Sequence, residues 1–350
     1  MKKRCRRNDS EEKNDKPALL QCANLILPWL NTSELASISL TCKTLYEISK
    51  SITISRSADA SRSLENLPIP FINTVDGHPY AYFVYTPSQI ITSPLFSRYQ
   101  RQSWGRISYG IRPTLDSGLG MVNWGSMDGL VSESGGSAYG CDCEKCNEVG
   151  DGGFSCPCSS LNSSEIVTEC GPSCRCGLEC GNRVTQKGIS VRLKIVRDWR
   201  KGWGLHADQL ILCGQFVCEY AGELLTTNEA RIRQQMYDEL AAGGRCCSAL
   251  MVVREHLPSG RACMRINVDA TRVGNVARFI NHSCDGGNLS TRLVRSLGVL
   301  LPRICFFATR EIQEHEELTF SYGLVHTRLK SFRCFCGSPS CFGFLPSENT

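Results

Sequence analysis

Between residues 17 and 50 apolar side chains return at three- and four-residue steps, as Leu35, Ile38, Cys42, Leu45 and Ile48, behind the cap-like Asn31-Thr32-Ser33-Glu34. That period places them on one face of a helix. Pro28 divides the segment into two helical pieces, a hairpin packed on the main body. From 51 to 140 the chain is rich in Ser, Pro, Gly and aromatic residues, with short extended stretches such as Tyr80-Ala81-Tyr82-Phe83-Val84-Tyr85 and a Gly-Ser linker over 132–140. No chemistry attaches to it. Beyond Gly181 the pattern shifts to short β-like runs, Val191 to Val196, Gln215 to Tyr220 and Val299 to Phe307, separated by Gly and Pro. These describe a β-rich domain of many short strands. No stretch of about 18 apolar residues is present, and the basic start is followed by Asn8-Asp9-Ser10-Glu11-Glu12 rather than an apolar run, so the sequence predicts neither a membrane span nor export.

Composition changes the picture through cysteine: there are 22 in 350 residues. In a reducing compartment thiols are kept for metals or catalysis rather than disulfides. The net charge of +5 does not choose a partner. Lys2, Lys3, Arg4, Arg6 and Arg7 read equally as a nuclear address or a solvated end.

Cys141, Cys143, Cys146, Cys156, Cys158, Cys170, Cys174, Cys176 and Cys180 put nine thiols into forty residues without a histidine. Three tetrahedral zinc ions need about twelve ligand positions, which three bridging and six terminal thiolates supply. The count predicts a closed, structural trinuclear cluster. Its excess negative charge would fall to Lys145, Arg175, Arg183 and Lys187. Disulfides are disfavoured by the odd count, and a nucleic-acid-binding finger by the missing histidines. Cys284 with Cys334, Cys336 and Cys341 supplies one further set of four, the tetrahedral number.

The string from Glu169-Cys170 through Cys174, Cys176 and Cys180 to Gly188 closely resembles the pre-SET segment of the Su(var)-type SET-domain histone-lysine methyltransferases. The family's later motifs follow in order: Lys201-Gly202-Trp203-Gly204, Glu219-Tyr-Ala-Gly-Glu223, Asp269-Ala-Thr-Arg-Val-Gly-Asn275, Arg278-Phe-Ile-Asn-His-Ser-Cys284, Glu317-Leu-Thr-Phe-Ser-Tyr-Gly323 and Cys334-Phe-Cys-Gly-Ser-Pro-Ser-Cys341. The resemblance covers about 141 to 345. It implies a mainly β fold with some α: short strands with a pseudoknot, a cysteine-rich zinc module before them and a zinc-binding tail after. The expected divisions are a flexible terminus at 1–16, a helical segment at 17–50, an uncharacterised region at 51–140, pre-SET at 141–188, SET at 189–325 and post-SET at 326–350.

The same resemblance implies methyl transfer from S-adenosylmethionine to a lysine of the histone H3 tail, the heterochromatin-marking ninth position, on chromatin in the nucleus. Lys201, Gly202, Trp203, Gly204, Arg278, Asn281, His282 and Tyr322 would bind the cofactor. Tyr322 would orient amine and methyl, with Phe320 lining the same channel and favouring di- or trimethylation. Three zinc ions would sit in the first cluster and one in the tail, where metal closes the cofactor pocket. Two departures stand out. Ser321 replaces an aspartate common in relatives, and Ala249, in Ser248-Ala249-Leu250-Met251, aligns with a second active-site tyrosine. A non-catalytic chromatin or ubiquitin-ligase adaptor is therefore the alternative. Leu27-Pro28-Trp29-Leu30, Glu34-Leu35 and Cys42-Lys43-Thr44-Leu45 add to it a weak resemblance to an F-box, which docks on ubiquitin-ligase scaffolds.

Overall fold

The computed structural model describes residues 18–91, 140–144, 146, 148–149, 153–154, 156, 158, 166–242, 248–256, 263–297, 299, 301–323 and 332–346. The terminus at 1–16, most of 51–140 including nearly all of the linker, and Lys145 lie outside the described residues. The chain divides into a small unit ending at Ser55 and a large one beginning at Arg56.

In the small unit lie α1 (Ala18–Ile26), a single 3-10 turn at Leu27–Trp29, α2 (Thr32–Ser39) and α3 (Lys43–Ala58), the last of which runs on past the unit boundary. Pro28 sits in the 3-10 turn, so it breaks the helix where expected. The cap is also as read: Asn31 Oδ1 accepts the Glu34 N–H at 3.0 Å while Glu34 Oε2 accepts the Asn31 N–H at 2.8 Å. Leu35 and Leu45 point inward with Ala23 and Leu27, and Ile38 and Ile48 pack beside them. Cys42 is exposed instead, because it falls in the turn between α2 and α3. The helical region continues to Ala58 rather than stopping near 50.

The large unit opens with three two-residue strands, β1 (Phe71–Ile72), β2 (Val84–Tyr85) and β3 (Ile90–Ile91). Next come β4 (Glu148–Val149) and β5 (Gly153–Phe154), paired only with each other, and β6 (Ile166–Glu169). Further on are β7 (Leu193–Asp198), β8 (Gly202–Ala207), β9 (Phe216–Glu219), β10 (Gly222–Leu225), α4 (Thr227–Ala242), β11 (Leu250–His256) and β12 (Cys263–Gly274). The chain closes with β13 (Asn281–His282), β14 (Leu289–Ser296), β15 (Arg303–Ala308) and β16 (Thr319–Phe320).

These strands form small sheets in the orders β1-β7-β8, β11-β12-β10-β3 and β6-β14-β15-β9, with β2 added alongside β12. β15 is central and almost wholly buried, which suits its Ile304-Cys305-Phe306 run. The region before the cysteines is thus part of the main fold. β1 pairs parallel with β7, β2 with β12 and β3 with β10. Ile69, Phe71, Tyr80, Phe83 and Tyr85 share one core with Leu193, Ile195, Leu205, Phe279 and Ile304. Periodicity missed this because strands of two residues are too short to show an alternation.

Helix α4 is anchored through its polar side chains. Arg233 reaches Glu223 and, at 2.7 Å, the fully buried Asp269, whose carboxylate also accepts the Tyr237 hydroxyl at 2.7 Å. A second buried pair ties the cysteine-rich module to the sheet. Arg303 donates to Glu169 at 3.0 Å and to Glu219 at 3.4 Å. Glu169 additionally accepts from the Thr185 N–H, the Thr185 hydroxyl and the Gln186 amide. Burial pushes the Glu219 carboxyl up to about 7, against the opposing pull of Arg303. One guanidinium therefore serves two buried acids.

Replacing that cation should strand both carboxylates. We expect Arg303→Met to lower unfolding stability by about 3–5 kcal/mol. Urea denaturation followed by circular dichroism checks this, and a loss below about 1 kcal/mol would show that the triad is dispensable.

Candidate active site and cysteine clusters

Two segments nearly forty residues apart meet at the centre of the large unit. β13 pairs parallel with β16 in the register Asn281 to Thr319 and His282 to Phe320. The Ser283 N–H continues the ladder to the Phe320 carbonyl at 3.0 Å. Asn288 locks the crossing: its N–H donates to the Thr319 carbonyl, its Oδ1 accepts the Thr319 N–H, and its amide reaches Glu316 and Glu317. Gly287 is required there, since at φ +74° a Cβ would come 2.4 Å from the Thr319 oxygen. The expected approach of the Glu317–Gly323 and Arg278–Cys284 segments is therefore present.

Around this crossing the structure gathers most of the anticipated cofactor residues. Lys201 forms an ion pair with Glu317, and the Asn281 amide donates to Glu317 Oε1 at 2.8 Å and to the Trp203 carbonyl at 3.3 Å. Gly202 has φ +84°, and a Cβ on Gly204 would lie 2.9 Å from Glu317 Oε1 and 3.1 Å from Asn281 Nδ2. A side chain at Gly204 would press on the Glu317 carboxylate and the Asn281 amide. Ammonium and amide donors beside a carboxylate and a carbonyl suit the amino-acid head of S-adenosylmethionine. Trp203 itself packs edge-on against Phe71 at 5.2 Å, under the Arg197 guanidinium. The Arg278 guanidinium covers Phe83 and Phe279, the latter in contact with the Phe71 ring that meets Trp203, and donates to the Thr271 carbonyl at 3.1 Å.

Tyr322 and Phe320 do share a face. Their ring centroids are 4.9 Å apart, and the row continues to Phe306 at 4.9 Å from Phe320 and to Tyr220 at 6.3 Å from Phe306. Tyr322 donates its hydroxyl to the Ile280 carbonyl at 2.7 Å, and Tyr220 donates to the Ala249 carbonyl at 2.6 Å. Burial, then the nearby Tyr322, pushes the Tyr220 phenol well up, keeping it neutral. Ala249 brings no side-chain polar atom of its own to this end, and its N–H is bonded to the Thr271 hydroxyl. Ser321 accepts the Gly323 N–H at 3.3 Å, a turn contact. His282 is buried under the row, its pKa held below the usual imidazole value by that burial, against the Phe320 carbonyl and Asp285.

Sequence reading missed Glu317, Tyr220 and Phe306. Glu317 and Tyr220 stood inside quoted motifs, but only the pairing of distant segments shows that they face the site. Phe306 read as one more apolar strand residue.

Eight of the nine cysteines of the first cluster gather into sets of four, with two differences from the expected arrangement. Three overlapping quartets form: Cys141, Cys146, Cys156, Cys170; Cys141, Cys158, Cys170, Cys174; and Cys146, Cys170, Cys176, Cys180. Cys170 belongs to all three, Cys141 and Cys146 to two, and Cys143 packs against the cluster without joining a quartet. Sulfur separations run from 3.6 to 4.0 Å. A zinc tetrahedron with bonds of about 2.3 Å requires edges of about 3.8 Å, whereas a disulfide is about 2.05 Å. The nine cysteines of the first cluster and the four of the tail are all free thiols. The Asn182 amide and the Gly171 N–H point at sulfurs of Cys170 and Cys174, and buried Arg183 reaches Cys176 at 3.6 Å. Such donors suit thiolates. Burial pushes the Cys141 thiol up to about 12. Cys284, Cys334, Cys336 and Cys341 form a further quartet, with Cys284 and Cys334 sulfurs 3.8 Å apart.

Comparison with known proteins agrees with this architecture. The SET domain family model matches residues 202–323. The chain is 57% identical over 338 residues to the histone-lysine N-methyltransferase SUVR3 of Arabidopsis thaliana, covering 95% of this chain and 92% of that one. Its fold matches the methyltransferase domain of human SETMAR with a TM-score of 0.59 at 27% identity, covering 83% and 97% of the two chains. It also matches KRYPTONITE solved with mCHH DNA, an H3(1-15) peptide and SAH, at 0.56 and 26%, over 82% of this chain and 53% of that one. With the paired β13–β16 crossing and flanking thiol clusters already in place, this likeness over nearly the whole chain shows that it belongs to the SET-domain histone-lysine N-methyltransferases.

Proposed function

We propose that this chain methylates the ninth-position lysine of the histone H3 tail, on chromatin in the nucleus, and carries it to the di- or trimethylated state. The observation that carries the reading is the aromatic row from Tyr220 to Tyr322 set beside the Lys201, Glu317 and Asn281 network. The H3 peptide in the KRYPTONITE complex supports the choice of substrate.

When bound, S-adenosylmethionine supplies a methyl group made electrophilic by its sulfonium. The lysine must meet it as a neutral amine, although a free lysine has a pKa of about 10.4. An apolar wall of Phe306 and Phe320 disfavours the ammonium, and the neutral Tyr220 adds no charge to hold it. Tyr322, its hydroxyl held at the Ile280 carbonyl, orients the amine for in-line attack. Phe320 offers no hydroxyl to retain a water, leaving space for an amine that already carries methyl groups. A second reading, a non-catalytic adaptor, is favoured by Ala249 and by the exposure of Leu25 (73%), Trp29 (72%) and Leu40 (87%) in the helical unit, which would suit docking on a ubiquitin-ligase scaffold.

A labelled-cofactor assay with a panel of histone peptides separates the two. Turnover on H3 peptides containing the ninth-position lysine, absent when that lysine is changed, is expected. Cofactor binding without turnover would favour the adaptor. Mass spectrometry of exhausted reactions should show more than one methyl for the wild type and a shift to monomethyl-lysine for Phe320→Tyr.

Metal content is a separate expectation. The quartets are read as holding three zinc ions in the first cluster and one in the tail, four per chain. Elemental analysis should give that number, and Cys341→Ser should lose one zinc and most turnover while keeping the remainder of the fold. Global unfolding of this variant, or one or two zincs in folded wild type, would overturn the assignment.

A further inference from the structure

We infer that the His282 side chain is a positioning residue linking the tail metal site to Tyr322: its Nε2–H donates to the Cys284 sulfur while its unprotonated Nδ1 accepts the Tyr322 backbone N–H. The inference rests on the proposed roles of the tail quartet and of Tyr322. Both bonds are in the structure. Nε2 lies 3.2 Å from Cys284 Sγ, and the Tyr322 N–H points at Nδ1 from 3.1 Å.

The proton positions follow from the partners. A backbone amide can only donate, so the ring nitrogen that faces it must present a lone pair. A neutral imidazole then carries its proton on the other nitrogen, which here faces sulfur. The opposite tautomer would set two donors against each other at Nδ1 and leave Nε2 without a proton to give the thiolate. The Phe320 carbonyl also faces the ring and accepts the Ser283 N–H at 3.0 Å, but it does not decide the tautomer, because the Tyr322 N–H already requires a lone pair at Nδ1.

His282 is suited to this bridge by the strand pairing. It stands opposite Phe320, where β16 ends, and its ring reaches the N–H of Tyr322 two residues further on. Its ring centroid lies 5.2 Å from the Tyr322 ring, and the Tyr322 hydroxyl returns to Ile280 on the same segment as His282. Tyr322 is thereby held at both its backbone and its hydroxyl by one short stretch of chain. A zinc-bound thiolate at Cys284 accepts the Nε2 proton and fixes the tautomer, as partners of metal ligands commonly do. Losing the tail zinc would release the ring and, with it, the backbone of Tyr322. Zinc at the tail then governs the placement of the hydroxyl as well as closure over the cofactor.

The two bonds can be broken one at a time. In His282→Asn the side-chain oxygen replaces Nδ1 and keeps the Tyr322 acceptor, but nothing reaches sulfur. In His282→Gln the amide nitrogen reaches the Nε2 position and keeps the donor to sulfur while the Nδ1 acceptor is lost. With zinc-loaded full-length protein we expect the Asn variant to release one zinc to EDTA about 10–100-fold more readily than wild type. Its lost turnover should recover in part as free zinc is raised. The Gln variant should retain zinc near the wild-type level yet lose kcat that no zinc restores. Nitrogen-15 NMR of histidine-labelled wild type should show His282 protonated at Nε2 only. An Nδ1-protonated ring, or equal loss of zinc and kcat in both variants, would overturn the inference. Failure of wild type to methylate any histone peptide would instead count against the proposed function, since tautomer and zinc retention are read without turnover.

Discussion

The parallel contact between Asn281-His282 and Thr319-Phe320 is the constraint on which the rest of the site depends. It is only two residue pairs long, so the ladder itself contributes little. Its strength lies in what fastens it: Asn288 bonding both ways to Thr319, and Gly287 letting the backbones approach within a distance that any side chain would forbid. Once the crossing is made, Lys201 and Asn281 converge on Glu317, and Phe320 and Tyr322 close the row that begins at Tyr220. No single segment contains the site.

Buried charge joins the metal module to this centre. Glu169 immediately precedes Cys170, the thiol common to all three quartets, and reaches through Arg303 to Glu219, the neighbour of Tyr220. Arg183 performs a similar task inside the cluster, donating to the Gly171 and Cys176 carbonyls while it faces the Cys176 sulfur. Both arginines are almost fully buried, so each stays in place only while its acidic or sulfur partners remain. The orientation of the cluster relative to the sheet is thus set electrostatically as well as by packing.

Legibility in the sequence followed the range of the interactions. The Asn31-Glu34 cap and the break at Pro28 are local, and both were readable from residues a few positions apart. Thiol number and spacing were readable because metal coordination imposes arithmetic, although the central place of Cys170 and the outlying one of Cys143 needed three dimensions. Motif order identified the family and put forward Tyr322, Phe320 and the Lys201–Gly204 turn as candidates. The contact of the Arg278 guanidinium with Phe83, a residue from the region assigned no role, could not be read from its motif. Glu317, Phe306 and the tautomer of His282 depend on which distant atoms come to face each other, which neither periodicity nor composition encodes.

The three short strands at Phe71–Ile72, Val84–Tyr85 and Ile90–Ile91 have a consequence for how this protein can be divided. They complete sheet margins at β7, β12 and β10, while Phe71 packs between Trp203 and Phe279 and Phe83 packs against Phe279. A fragment begun at the first motif of the catalytic domain would present bare main-chain donors and acceptors along three strands, above an opened aromatic core. Unpaired margins of that kind recruit other chains. The portable unit of this enzyme is consequently larger than the region its motifs delimit, and excising the motif-bearing part alone should yield a self-associating species rather than a smaller enzyme.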